Sequence, residues 1–281
     1  MVSIVIINYN DKTRIKRAIE SALNQTYTDI EVVVVDDGSD PETREIYKSY
    51  ENINLVQLER ADISLRTPSR ARNEGVAIAK GDYICFLDSD NYYEKDFVKE
   101  MMKDIKDVSY CNWEIVGKQN YKVDISSVWK KGKSILENYL MFTHLDHQCL
   151  LIRKVLLDVV GAYDVRLPRS QDCDLIVRLM LAGVDFNYVP KKLFVFEKHE
   201  SDQMKTLASI HGKTLWTLKN NMDLSWLFGI VAKQPALYMV YLKAIYDFMN
   251  NDEWSEERNK SDFIAFYKEC VKSLDSEKKE Q

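Results

Sequence analysis

Hydrophobic residues open this chain in short unbroken runs. Ser3–Tyr9 (SIVIINY), Glu31–Asp37 (EVVVVDD) and Tyr83–Asp88 (YICFLD) are each nearly continuous in apolar side chains, and Ile53–Glu59 (INLVQLE), apolar at four of its seven positions, reads as a further strand. Such runs predict strands buried on both faces, where alternation would predict strands with one wet face. Between the first two, Ile15, Ala18, Ile19, Ala22 and Leu23 recur at helical spacing. Asn10 or Asp11 can cap that helix, and Asp40-Pro41 predicts a second, with an N-cap followed by proline at the first helical position. Thr67-Pro68 opens a third helix and Gly81 is expected to close it. This β-α-β-α order predicts an α/β fold with a mostly parallel central sheet and helices on both faces.

Beyond Asp104 the pattern loosens. VSYCNWEIV (Val108–Val116) and HQCLLIR (His147–Arg153) read as strands, and Ser170–Gly183 as a helix with Leu175, Leu179 and Ala182 on one side. VDFNYV (Val184–Val189) and LFVFEKH (Leu193–His199) read as two short strands. After about Asp202 the chain reads as helical, with a break near Pro235. The expected division is a domain over residues 1–205 and a helical C-terminal extension over 206–281. The apolar stretch Leu224–Met249 in that extension suits packing on the main domain, a homodimer contact or a membrane-surface patch.

Composition narrows the class. The 281 residues are 46% hydrophobic, enough for a sizeable core, and the net charge of −5 argues against a nucleic-acid partner. Five cysteines lie far apart with no CxxC pair, so neither a zinc knuckle nor a disulfide framework is suggested. No window of about 20 apolar residues predicts a membrane span, and the opening MVSIVIINYN has no signal-peptide pattern. A cytoplasmic chain is expected, with peripheral attachment at the inner face of the membrane left open.

Chemistry concentrates at predicted strand ends, where open α/β sheets collect their ligands. Tyr9, Asp36, Asp37, Asp88 and Asp90 all fall there. Asp88-Ser-Asp90 begins like an EF-hand loop, but the sixth and twelfth positions hold Tyr93 and Lys99 instead of glycine and glutamate. Two readings survive: carboxylates for a Mg²⁺ or Mn²⁺ ion shared with phosphate oxygens, or a solvated polar turn. Asp37 can accept from the imide N–H of a uracil-type base, or serve turn chemistry. Arg66, Arg70 and Arg72 crowd a helix entry, which suits a diphosphate or a plain basic helix start. Asp172 and Asp174 open a later helix but cannot share a face. If Asp172 points into a cleft, Asp174 is expected to cap or face solvent; alternatively both simply favour the helix N-terminus. His199, in a polar loop, reads either as a ligand or as a surface residue.

Order and spacing say more than any one motif. A strand ending Asn8-Tyr9-Asn10, a strand ending Asp36-Asp37-Gly38-Ser39, an Arg72-Asn73 helix and a strand ending Asp88-Ser-Asp90-Asn91 fall within the first hundred residues. The sequence resembles the family-two glycosyltransferases, which have the nucleotide-diphospho-sugar transferase fold called GT-A. It is similar to the spore-coat-polysaccharide-type members through SALNQTYTDIE, GDYICFLDSDN and DHQCLLIR, and the resemblance covers about Val2–Gln203.

The resemblance implies roles. Tyr9 would stack on the base, Asp37 would hold a uracil-type ring, and the backbone at Ile7 would help. Arg66 and Arg72 would contact the nucleotide phosphates. Asp88 would touch the ribose or the metal, Asp90 would bind Mn²⁺ or Mg²⁺, Asp172 would be the catalytic base, and His199 would add a metal or diphosphate contact. The implied activity is inverting, non-processive transfer of a sugar, most naturally from a UDP-sugar, to a hydroxyl on a glycan or lipid-linked acceptor in cell-surface polysaccharide or glycoconjugate synthesis. This chain departs from the family in three ways. Gln171 stands where Glu is usual, the turn at Asp36–Asp40 is one residue short, and the Gln-x-x-Arg-Trp motif of processive synthases is missing. Gln171 sustains an alternative, a catalytically inactive nucleotide-sugar-binding partner of another transferase. A nucleotidyltransferase is disfavoured because INYNDKTRI is no glycine- and basic-rich phosphate loop. A dehydrogenase is disfavoured because no GxGxxG follows the first strand.

Overall fold

The structure is a computed structural model that describes residues 1–59, 67–117, 120–129, 131–132, 135, 138–139, 145–165 and 171–198. The chain divides into two compact units, of which the first comprises residues 1–135 and 144–202. The expected boundary at 205/206, the helices of 206–281, Arg66 and His199 lie outside the described residues.

The four apolar runs form four strands: β1 (Val2–Asn8), β2 (Ile30–Asp36), β3 (Asn54–Gln57) and β4 (Tyr83–Asp88). They pair in parallel in the order β3-β2-β1-β4. Ile4, Ile6, Val33, Val35, Ile84 and Leu87 are fully buried. Helix α1 (Ile15–Leu23) buries Ile15, Ala18, Ile19 and Ala22, the stripe its periodicity predicts. Asp11 caps the turn just ahead of it by accepting from the N–H groups of Thr13 and Arg14. Helix α2 (Pro41–Tyr47) starts as expected, with the Asp40 carboxylate accepting from Thr43 N–H at 2.8 Å. Helix α3 (Pro68–Ile78) lies so close to the sheet that a Cβ on its Gly75 would collide with Val5 Cγ1. Gly81 does not close this helix. It lies against β1, where an added Cβ would sit 2.6 Å from the Ser3 backbone nitrogen.

The second half adds β5 (Tyr92–Tyr93), α4 (Phe97–Met101), β6 (Val108–Val116), β7 (Tyr121–Val123) and α5 (Ile125–Val128). A 3₁₀ turn (His147–Cys149) follows, then β8 (Leu150–Arg153), α6 (Lys154–Val160), α7 (Gln171–Leu181) and β9 (Phe186–Glu197). The sheet runs β3-β2-β1-β4-β8-β6-β9-β5, with β7 on β6. Only its first four strands are uniformly parallel. β8 runs antiparallel to both neighbours, β4 and β6, so the sheet as a whole is mixed. The two short strands expected near residue 190 are one strand. Its register on β6 jumps from Cys111–Val189 to Asn112–Lys192, which bulges out Pro190, a residue with no N–H to give the ladder.

Candidate active site

The carboxyl ends of β1, β2 and β4 meet at one rim. There Asp37 N–H donates to the Asn8 carbonyl at 2.8 Å, and Ser89 N–H donates to the Ile7 carbonyl at 3.2 Å. Asn10 adopts a left-handed φ of 55°, which asparagine tolerates because its short amide bonds locally. Its N–H donates to Ser39 Oγ at 2.9 Å and its Oδ1 accepts from Asp40 N–H at 2.8 Å, which fixes the loop after β1 to the loop after β2.

The adjacent aspartates at the end of β2 divide in role. Asp36 is fully buried and accepts from Tyr47 Oη at 3.0 Å, Arg44 Nε at 3.1 Å and Ser39 N–H at 3.2 Å. Tyr47 in turn accepts from Asn8 Nδ2 at 2.7 Å, and burial pushes its phenol well above the ordinary value. Asp36 is therefore a scaffold carboxylate, while Asp37 faces the cleft. Asp36→Ala is expected to cost about 3 kcal/mol in urea unfolding, because it strips a buried phenol and a guanidinium of their acceptor. A loss under about 1 kcal/mol would contradict that scaffold role.

Asp88 is gripped from two sides. Arg72, 5% exposed, donates from Nη2 to Asp88 Oδ1 at 2.8 Å, and its guanidinium lies 5.1 Å from the Tyr163 ring centroid. Gln148 donates from Nε2 to Asp88 Oδ2 at 3.3 Å, and its Oε1 accepts from Asp88 N–H at 2.8 Å and Asn91 Nδ2 at 3.2 Å. Burial is the largest single influence on the Asp88 carboxyl and raises it; the Arg72 charge, the nearby His147 and the Arg72 hydrogen bond together outweigh burial and hold the group below the usual range. The Asp90 carbonyl accepts from Arg17 Nη2 at 2.9 Å, and Arg17 also pairs with Glu197.

Together these ends enclose a cleft of about 330 Å³ lined by Ile7, Tyr9, Asp37, Arg72, Asp88 and Asp90, with Thr67, Pro68 and Ala71 from the start of α3. Tyr9 stands at its edge, 43% exposed. Thus six residues singled out by strand-end position and resemblance come together. Arg72, expected to meet phosphate, lines the cleft and gives Nη2 to Asp88, with its guanidinium near the Tyr163 ring.

Asp172 is not among the residues lining this cleft. It opens α7, partly exposed, and its charge is felt at Arg72, His147, Tyr163 and Asp146. Burial and then the Asp172 charge push the Asp146 carboxyl up to about 7. Burial and Arg72 push His147 below its ordinary value, so its imidazole is neutral at pH 7. Asp174 does not face solvent. It is 4% exposed and accepts from Arg178 Nε at 3.0 Å and Nη2 at 2.6 Å, while Arg178 also holds the carbonyls of Val160, Gly161 and Ala162. Sequence reasoning treated HQC as the start of a strand and missed Asp146, His147 and Gln148. Their polar character ahead of an apolar run was the available signal.

Among the described residues there is no group of three or more His, Cys, Asp or Glu side chains arranged to hold a metal. Asp88 and Asp90 offer hard oxygen donors of the kind Mg²⁺ and Mn²⁺ take, and ions of this type complete their shells with phosphate oxygens and water. The donor set therefore fits a cation shared with a ligand and does not make a cage of its own. Among the described residues no helix is long and apolar enough to cross a membrane.

The carboxylates thus gather at the carboxyl ends of the parallel half of the sheet, where open α/β sheets bind their ligands. Residues 3–159 match glycosyl transferase family 2, and the chain belongs to that family. An uncharacterized glycosyltransferase of Rickettsia typhi is 32% identical over 200 residues, covering 67% of this chain and 61% of that protein. The UDP-Glc:alpha-D-GlcNAc-diphosphoundecaprenol beta-1,3-glucosyltransferase WfaP of Escherichia coli is 40% identical over 93 residues, 33% of this chain and 36% of that one. The chain spans about three fifths of the length of the Rickettsia relatives it matches first. Its fold is that of S. aureus TarS 1–349, solved in complex with UDP-GlcNAc, with a TM-score of 0.71 at 19% identity over 96% of this chain and 81% of that one. The GT-A fold expected from the sequence is thereby shown.

Proposed function

We propose that this chain transfers a sugar from a nucleoside-diphosphate donor, a UDP-sugar, to a hydroxyl of a glycan or lipid-linked acceptor, with inversion at the anomeric carbon. The observation that carries the reading is the convergence of Tyr9, Asp37, Asp88 and Asp90 on one cleft at the strand ends. Tyr9 offers an aromatic face for a base and Asp37 an acceptor for the uracil imide. Asp90, with Asp88 beside it, would hold Mn²⁺ or Mg²⁺, and a cation bound there supplies charge neutralisation to the leaving diphosphate. Asp172 takes the proton of the acceptor hydroxyl as its oxygen attacks the anomeric carbon. The bond from that carbon to the β-phosphate oxygen breaks with its electron pair on the phosphate. Arg72 keeps Asp88 ionised throughout. WfaP takes UDP-Glc and a diphosphoundecaprenol-linked acceptor, and TarS 1–349 binds UDP-GlcNAc; both support the choice of uracil, and the first supports a lipid-linked acceptor.

Calorimetry with UDP, GDP and ADP, each with and without Mn²⁺, is expected to show UDP bound most tightly and only weakly without the ion. Tighter GDP binding would remove the uracil assignment. A screen of nucleotide sugars for Mn²⁺- or Mg²⁺-dependent donor hydrolysis tests the activity itself. Tight binding with no turnover of any donor would favour the inactive-partner alternative.

A further inference from the structure

We propose that Gln148 is a positioning residue for the donor site, one that sets the orientation of Asp88; the inference rests on the reading of this cleft as a diphosphate and cation site. Gln148 lies 60 residues from Asp88 in sequence and is 2% exposed. Its amide meets Asp88 twice, accepting from the main-chain N–H at 2.8 Å and donating to Oδ2 at 3.3 Å. Arg72 takes Oδ1, so both carboxylate oxygens are engaged and the plane of the group is fixed. Each oxygen keeps a second lone pair for a ribose hydroxyl or a cation. The same Oε1 accepts from Asn91 Nδ2 at 3.2 Å, and Asn91 Oδ1 accepts from Glu197 N–H at 2.9 Å. One side chain therefore braces both ends of the Asp88–Asn91 turn that carries Asp90.

The chemistry demands an amide. Glutamate could still accept from the two N–H groups, but it would set a second negative charge against Asp88 and lose the donor. Methionine keeps the shape and loses all three bonds. Gln148 is itself held by its N–H to Asp146 Oδ1 at 2.8 Å and by its carbonyl, which accepts from Tyr93 Oη at 3.0 Å. Groups that orient the ligands of a cation typically cost about 10–100-fold in metal affinity when replaced.

The test is isothermal calorimetry of the full chain with UDP, CDP, GDP and ADP across a Mn²⁺ titration. Gln148→Glu and Gln148→Met are each expected to raise the Mn²⁺ concentration for half-maximal nucleotide binding about 10–100-fold. Tyr93→Phe loosens the same 3₁₀ turn without touching Asp88. It is expected to lower the thermal midpoint and leave the Mn²⁺ requirement at the wild-type value. Gln148→Met, uncharged and close in volume, decides the case if the glutamate variant fails to fold. A wild-type Mn²⁺ requirement in Gln148→Met, or an equal shift in Tyr93→Phe, overturns the positioning role while leaving the site reading intact. Wild-type protein that binds none of the four nucleotides overturns the site reading, and this inference with it.

Discussion

Asp172→Asn is expected to leave Mn²⁺-dependent UDP binding nearly unchanged and to lower sugar transfer about 10²–10⁴-fold, the usual contribution of general-base help. The expectation follows from placement. Asp172 stands outside the lining of the nucleotide cleft, at the start of α7, yet close enough for its charge to act on Arg72, Tyr163 and Asp146. Asparagine keeps the size and removes the basicity. The measurement pairs calorimetry with product formation once a donor and acceptor are in hand. Near-normal transfer would falsify the base assignment. Asp174 could not then take over, because Arg178 occupies its carboxylate from the following turn. Asp146, with its carboxyl raised to about 7, would be the next group to substitute.

The second large effect is expected at Asp90. Asp90→Ala should weaken UDP–Mn²⁺ binding and lower turnover together, by about 10²–10³-fold in turnover, the scale on which preorganised charge stabilisation is lost. The two variants thus separate by pattern: Asp172→Asn divides binding from chemistry, and Asp90→Ala does not. Unaltered Mn²⁺ dependence in the alanine variant would show that Asp90 is no ligand, and would shift that part to Asp88.

Much of the first half of the fold was legible because its signals are local. Unbroken apolar runs marked β1, β2 and β4, and a carboxylate just after such a run has to emerge at the strand end. Asp40-Pro41 announced α2 because cap and proline act within one turn. The second half followed different rules. Gln148 reaches Asp88 only because β8 inserts between β4 and β6, a pairing that no spacing along the chain encodes. Asp174 was expected at a cap or in solvent, but a salt bridge four residues on took it inward. A break was expected between Val189 and Leu193, and a bulge took its place. Gly81, read as a helix stop, answers to the backbone of Ser3, 78 residues earlier in the chain. In each case a tertiary partner overrode a sound local rule.

The insertion of β8 also has a consequence for biosynthesis. The ribosome delivers β1 to β4, and with them Asp37, Asp88 and Asp90, about 60 residues before Leu150–Arg153 emerges to cover the open side of β4. At roughly 5–20 residues per second that interval lasts several seconds. During it the nascent chain carries an apolar strand with one unpaired edge, the kind of surface on which stray chains add. Because Gln148 lies two residues before β8, the strand that pairs with the start of this edge arrives together with the residue that fastens Asp88. Partial cover for the edge and the fixing of Asp88 therefore fall at the same moment of synthesis.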